Sequence, residues 1–423
     1  RTAHDAPLTK VIPLTGMASA PHLDFAGEVR GATKFPTFHA AKISDVATAR
    51  HAVAEGKLDM VGMTRAHLTD PHIVNKIAAG REDDIRPCVG ATYCLDRIYE
   101  SLEALCIHNP ATGREATMPH FIEPSAQPGR KVAIVGAGPA GLEAARVCAE
   151  RGHKVTLFEA ADQAGGQVRL LTRVKRRSEM IGIIDWRVAQ CEKLGVDVRF
   201  NTLAQAGDIA KLEPDIVLIA TGGLPNTEAF EEGTELATSS WDILSGDAKP
   251  GDDVLLFDDN GSHAGMTAAE VIAENATSFE LITPERMFSP DMGGLNVVPY
   301  VKKLHATGST ITTMTKVRTL ARKGNKIAAT LWSPYTNGDC GERLVDQVVV
   351  EYATLPLDDL YVELKTASSN RGEVNYPALK HGRPQTINTN PDGRFQLFRI
   401  GDAVAARNIH AAIYDALRLC KDL

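Results

Sequence analysis

The chain has 423 residues, 43% of them hydrophobic, with a formal net charge of −7 and a pI near 6.0. That length suits two or three cores, since single domains mostly hold about 100–200 residues, and the charge balance offers no basic face to nucleic acid. No apolar run approaches the roughly 20 residues of a membrane span and nothing at the start has the pattern of a signal peptide, so with clustered, unpaired cysteines the expectation is a cytoplasmic protein.

Residues 1–35 are rich in Pro and Gly, with one short helix predicted at FAGEVRGAT. Residues 36–85 hold two strand–helix units, FPTFHAAKI with SDVATARHAVAEG and LDMVGMTRA with DPHIVNKIAAG. This is the cadence of a (β/α)8 barrel, whose circuit takes about 250 residues. Segment 1–85 therefore reads as the C-terminal part of a TIM barrel, with the earlier strands on preceding sequence or on a partner chain. The first residue is Arg1, not Met, which agrees with a chain that starts part-way. Residues 86–128 form a cysteine loop and a linker, PHFIEPSAQPGR. At Lys131 a βαβ unit begins: the strand KVAIV, the turn GAGPAG, the helix LEAARVCAERG and the strand KVTLFEA. DDVLLF, MTAAEVIAENA and SFELITP repeat that layout from residue 252. The fold class is thus α/β: the end of a barrel, then a Rossmann-like FAD- or ADP-binding domain in two parts, 129–249 and 345–423, with a second nucleotide-binding-like domain inserted at 250–344.

Gly136, Gly138 and Gly141 stand between strand and helix as a dinucleotide fingerprint requires. The first permits the turn, the second lets a pyrophosphate approach the backbone, and the third lets helix and strand pack closely. Pro139 and Ala140 complete the turn, and the helix N-terminus faces the phosphates. Glu159, followed by Ala160, ends the second strand where a carboxylate accepts ribose hydroxyls, and with no arginine at once behind it an unphosphorylated ribose is favoured. A lone glycine turn is more often only a turn; here strand, helix and acid are in register. Gly166-Gln167, Thr221-Gly222 and Gly401-Asp402 follow in an order that resembles the pyridine nucleotide–disulfide oxidoreductase class of flavoproteins.

In the second unit, Asn260 and Ser262 take the first two glycine places of the fingerprint, Gly265 takes the third, and Asp258 and Asp259 crowd the turn. Like charges there repel a pyrophosphate, so this domain is expected to keep the fold without binding NADH or NADPH.

Cys88, Cys94 and Cys106 are clustered while Cys148, Cys191, Cys340 and Cys420 are scattered. Thiolates placed just ahead of a dinucleotide fingerprint suggest an iron–sulfur site coupled to a flavin enzyme, not a disulfide framework; the plain alternative is three buried free thiols packing as small hydrophobes.

The run DIRPCVGATYCLDRIYESLEALCIHNPATGRE, with the tandem βαβ domains, resembles the C-terminal two thirds of the trimethylamine dehydrogenase family, a branch of the old yellow enzyme group. The likeness is greatest to members that demethylate N-methylproline or dimethylglycine. The resemblance implies an FMN-bearing barrel, a [4Fe–4S] loop and an FAD- or ADP-binding domain. It puts Ala41 and Lys42, and Thr64 and Arg65, at barrel loops that grip the FMN phosphate, although a solvated surface charge is the ordinary fate of Lys42 and Arg65. It also shows a departure: Ala91 stands where the family has its second ligand cysteine. Three thiolates could hold a cubane with one differently ligated iron, a [3Fe–4S] cluster, or nothing, and His108, Tyr93 and Asp96 are the nearest replacements. Ile98, with Tyr99 beside it, stands where trimethylamine dehydrogenase carries a cage tryptophan, which argues against trimethylamine and suits a substrate with its own carboxylate. The implied activity is oxidative N-demethylation of a small-molecule amine, giving formaldehyde and passing electrons to an electron-transferring flavoprotein, in a homo-oligomer; no catalytic base is legible. An NAD(P)H-fed enoate or 2,4-dienoyl-CoA reductase, and a non-catalytic electron-transfer or assembly subunit, are the rival readings.

Overall fold

The computed structural model describes residues 5–423, which fall into two compact units. One comprises Lys10–Arg169, Glu179–Gly223 and Pro356–Leu423. The other comprises Leu170–Ser178 and Leu224–Leu355, with the described residues up to Thr9.

In the first unit the strands Lys131–Val135, Lys154–Phe158, Asp197–Arg199, Ile216–Ile219 and Gln396–Arg399 make one all-parallel sheet. Its spatial order is 396–399, 216–219, 131–135, 154–158, 197–199. Each inner strand is a short continuous apolar run because both faces are covered. Val132 and Ile134 point into a core shared with the helices Pro139–Glu150, Gly182–Lys193 and Ile409–Cys420. Ala133 and Val135 point the other way, against Ile209, Tyr361 and Leu364. The helix Ile409–Cys420 starts on an Asn408 cap that accepts from Ala411 N and packs along Pro139–Glu150, so the C-terminus buttresses the fingerprint helix.

Before this sheet, the parallel strands Phe38–His39 and Met60–Val61 alternate with the helices Val46–Ala54, Thr64–Thr69 and Ile73–Ala78. Their own core is small: Leu23, Ala26, Ile43, Ala49, Ala52 and Leu58. Phe38 and Met60 stay 62% and 58% exposed. Two strand–helix units cannot cover both faces of their own strand pair.

The second unit carries another five-stranded parallel sheet, ordered 310–312, 278–282, 253–258, 347–351, 237–239. Val254 and Leu256 meet the helices His263–Asn275 and Gly294–Ala306 through Met266, Ile272 and Tyr300. Leu255 and Phe257 meet an antiparallel three-stranded sheet, Lys316–Lys323, Lys326–Ser333 and Gly338–Val345, through Val317, Leu320 and Leu331. The inserted unit spans Leu224–Leu355, wider than 250–344, because the strands Ala237–Ser239 and Gln347–Glu351 pair in its sheet. Among the described residues no helix is long and apolar enough to cross a membrane.

Candidate functional site

The fingerprint turn is built by close backbone approach. Gly136 has φ +101°, and a Cβ there would strike the Ala220 carbonyl. A Cβ on Gly141 would fall on the carbonyl oxygen of Gly136, whereas at Gly138 nothing lies within 4 Å. The middle glycine thus opens onto free space while the outer two are packed, which is the division of labour a pyrophosphate cradle needs. Pro139 occupies the first turn of the helix and Gly138 supplies no side-chain cap, so the first amides keep their donors. The Glu159 carboxylate accepts from Ala137 N at 2.7 Å and Ala161 N at 2.9 Å. Ala160 beside it is exposed.

The other glycine motifs converge on the same turn. Gly165 N donates to Ala137 O, and a Cβ on Gly166 would sit 3.5 Å from Gly138 Cα. Gln167 Nε2 donates to Asp402 at 3.2 Å, and the Thr221 hydroxyl donates to Leu357 O beside Gly222. Gly401 has φ +62°, and a Cβ on it would come within 2.9 Å of Ala140 Cβ. Burial raises the Asp402 pKa, opposed by hydrogen bonds from Arg407 N and Gln167. Glu159, these glycines and Asp402 thus gather around one turn.

Cys88, Cys94 and Cys106 line one cavity, together with Ala91, Arg65 and Thr69. Cys106 Sγ accepts from His108 N at 3.4 Å and lies 3.4 Å from the Thr69 hydroxyl. Burial pushes the Cys88 thiol up, and burial with its neighbouring thiols pushes Cys94 to about 11. Among the described residues no three Cys, His, Asp or Glu side chains draw together around a single metal ion. What the cavity does provide is thiols on several sides, with a cation on its wall. Ala91, 9% exposed, faces the same space and brings no ligand atom. His108 also lines it; its Nδ1 is 3.0 Å from Pro87 O and its buried Nε2 has no hydrogen-bond partner among the described residues. The Tyr93 ring stacks toward His410, 5.1 Å between centroids, and Asp96 lies in the same short helix, Tyr93–Tyr99. Ile98 and Tyr99 are exposed.

Behind this cavity runs a network that the sequence did not announce. Glu143, on the fingerprint helix and 0% exposed, takes Arg146 at 2.6 Å and Arg187 at 2.8 Å. Arg187 passes on through Nη2 to His108 O at 2.9 Å, and His108 reaches Pro87 O. Arg86 stacks on Trp186, 4.3 Å from the ring centroid, and burial lowers its pKa to about 10. Burial works to raise the Glu143 pKa, but Arg146 and Arg187 overcome it and hold the carboxylate charged. The fingerprint helix is thereby bonded to both stretches of the cysteine loop. The signal available in the sequence was a Glu and an Arg one turn apart inside an otherwise apolar helix.

At the short strand pair, Ala41 and Lys42 have φ +87° and +54°. Lys42 is neither a surface charge nor open to a ligand: 8% exposed, its ammonium donates to Leu14 O, Met17 O and Glu179. Thr64 is exposed at the start of its helix, and Arg65 Nη1 donates to Pro13 O at 2.8 Å.

In the inserted unit the corresponding turn is filled by the chain itself. The buried Asp258 carboxylate accepts from Asn260 N and Gly261 N, at 3.1 and 3.0 Å. Asn260 Nδ2 donates to Glu351, and Ser262 Oγ accepts from Ala264 N. A Cβ on Gly265 would press on the Asp258 carboxylate. Burial, reinforced by Glu351, raises the Asp258 pKa to about 7.

Comparison with known proteins matches residues 134–180 to the NAD(P)-binding Rossmann-like domain. Over 99% of its length the chain is 60% identical to a Rhizobium meliloti (strain 1021) protein named "Probable N-methylproline demethylase", covering 62% of that relative. Over 98% it is 44% identical to an N,N-dimethylglycine/sarcosine dehydrogenase of Chromohalobacter salexigens, covering 61%. The chain thus spans about three fifths of the length of these curated relatives. Among solved structures it is similar to the 6-hydroxypseudooxynicotine amine oxidase of Pseudomonas geniculata N1, with a TM-score of 0.84 and 25% identity over 96% of this chain and 59% of that one.

Proposed function

We propose, from its likeness to demethylase and dehydrogenase relatives, that the chain belongs to the trimethylamine dehydrogenase/old yellow enzyme-like family and forms part of a flavin-dependent oxidoreductase that oxidatively demethylates an N-methylated amino acid. The overall reaction removes a hydride from a carbon next to the amine nitrogen, and the resulting iminium takes up water to release formaldehyde and the shortened amine. Electrons then go to an electron-transferring flavoprotein, in a homo-oligomer. When bound, the flavin supplies the two-electron acceptor and an iron–sulfur cluster the one-electron outlet.

The residues have separable tasks. The first amides of the helix Pro139–Glu150 would hold the pyrophosphate of FAD or ADP, with Gly136, Gly138 and Gly141 giving it room and Glu159 addressing the ribose. Gln167 and Asp402, bonded to each other, form the far wall. Cys88, Cys94 and Cys106 would hold the cluster, as [4Fe–4S] or [3Fe–4S], with Ala91 leaving one position to another ligand. The turns at Ala41 and Thr64 would face FMN with backbone amides, as loops after the last barrel strands do, Lys42 shaping its turn by binding the 14–17 segment. Segment 1–85 would be the end of that barrel. Ile98 and Tyr99, exposed here, would meet the substrate side.

The observation that carries the reading is that three cysteines from two stretches of the loop line one cavity, and that this loop is hydrogen-bonded through Arg187 to the helix of the fingerprint. The self-filled turn at Asp258 supports a protein acceptor over nicotinamide. The test uses the full-length enzyme purified anaerobically: iron, acid-labile sulfide, FMN and adenine nucleotide per chain, then bleaching of the flavin by N-methylproline or dimethylglycine with formaldehyde counted against substrate. Bleaching by NADH without any by the amines would reject it in favour of the reductase.

A further inference from the structure

Arg65 follows the strand Met60–Val61 and stands on the wall of the cavity lined by Cys88, Cys94 and Cys106. One edge of its guanidinium is fixed, Nη1 donating to Pro13 O at 2.8 Å. Among the described residues it forms no ion pair with a carboxylate, unlike Lys42, whose ammonium is bound on every side. A guanidinium fixed at one edge, without an anion among the described residues, on the wall of a cavity that three thiols line, is half of an electrostatic arrangement. Three thiolates outweigh the charge of a cubane core, and each added electron makes the assembly more negative, so a nearby cation favours the reduced state and raises the potential.

We propose that Arg65 is the counter-charge of the cysteine-held cluster and sets its reduction potential. This rests on the cluster reading above. The electron reaching the cluster comes from the flavin of the proposed reaction, and Arg65 moves only the balance of that transfer. Its charge matters here, not its fork of donors, so a lysine serves nearly as well.

The test compares full-length wild type with Arg65→Gln and Arg65→Lys, purified anaerobically, by iron, sulfide and released FMN and by redox titration of the cluster followed by EPR. Wild type without iron and sulfide would end the cluster reading before any variant is compared. With the cluster present, Arg65→Gln is expected to shift the one-electron equilibrium toward the oxidised cluster at least tenfold, ~59 mV, with Arg65→Lys close to wild type. Iron lost from the Gln variant and retained in the Lys variant has the same meaning. An unmoved potential, with or without loss of FMN, overturns the proposal, as does loss of iron from both variants.

Discussion

Replacing Glu143 by Gln tests the charge network behind the cysteine loop most directly. The side chain is wholly buried and bonded to Arg146 and Arg187, with Arg86 close enough to be felt. Arg146 has a second carboxylate, Glu150 at 2.8 Å, whereas Glu143 is the carboxylate that pairs with Arg187. Glutamine keeps the shape and one acceptor but leaves Arg187 as a buried cation without an anion. Breaking a buried pair from one side costs about 3–5 kcal/mol, which is a large share of the roughly 5–15 kcal/mol that holds a domain together. Urea unfolding followed by far-UV circular dichroism should show the midpoint falling with an unchanged slope. Because the folded pKa of Glu143 is depressed, its contribution is complete above the ordinary value of 4.5 and erodes as the pH drops below that. The gap between variant and wild type should therefore narrow in acid. Arg187 also holds His108 O, so Cys88 and Cys106 should react faster with a thiol reagent in the variant, before global unfolding. A loss under about 1 kcal/mol, with unchanged thiol reactivity, would refute the claim that the network carries the loop.

Gly141→Val should leave the protein without bound adenine nucleotide and cost about 1–3 kcal/mol, since the new Cβ would meet the Gly136 carbonyl; nucleotide released on denaturation and the melting temperature measure both. Asp258→Asn should raise the melting temperature at pH 8, and the gain should shrink by pH 5. The raised pKa, about 7, makes the ionised carboxylate a penalty that grows as pH climbs from 3.8 and is complete above 7. Neither form should show saturable NADH or NADPH binding at the inserted unit by fluorescence. Ala91→Cys should increase the iron retained after aerobic purification, because the side chain already faces the cavity; unchanged iron would mean the fourth position is filled by something else.

Much of the fold was legible because it follows from local rules. KVAIV, IVLI and VLLF announce buried parallel strands by being apolar on both faces, and each glycine of GAGPAG has a separate steric reason. The antiparallel strands 316–345 were not foreseen, because alternation there is broken by bulges near Val317 and Trp332 and by many charges. At the site, the fate of Lys42 was hidden because its partners, Leu14, Met17 and Glu179, lie far away in sequence. Long-range polar pairing has no periodicity to betray it.

The cysteine loop is tied down by bonds to other segments although most of it is neither helix nor strand. An irregular segment must find partners for its backbone groups outside itself. Pro87 O is taken by His108, His108 O by Arg187, Cys106 O by His410 and Gly90 O by Thr15 N. Two of these bonds lead into helices that cover the five-stranded sheet of the first unit, Gly182–Lys193 and Ile409–Cys420. A loop held in this way keeps its thiols placed on folding alone, so removing bound iron should leave the melting temperature of the first unit nearly unchanged. A large drop on chelation would instead mean that the metal organises the loop.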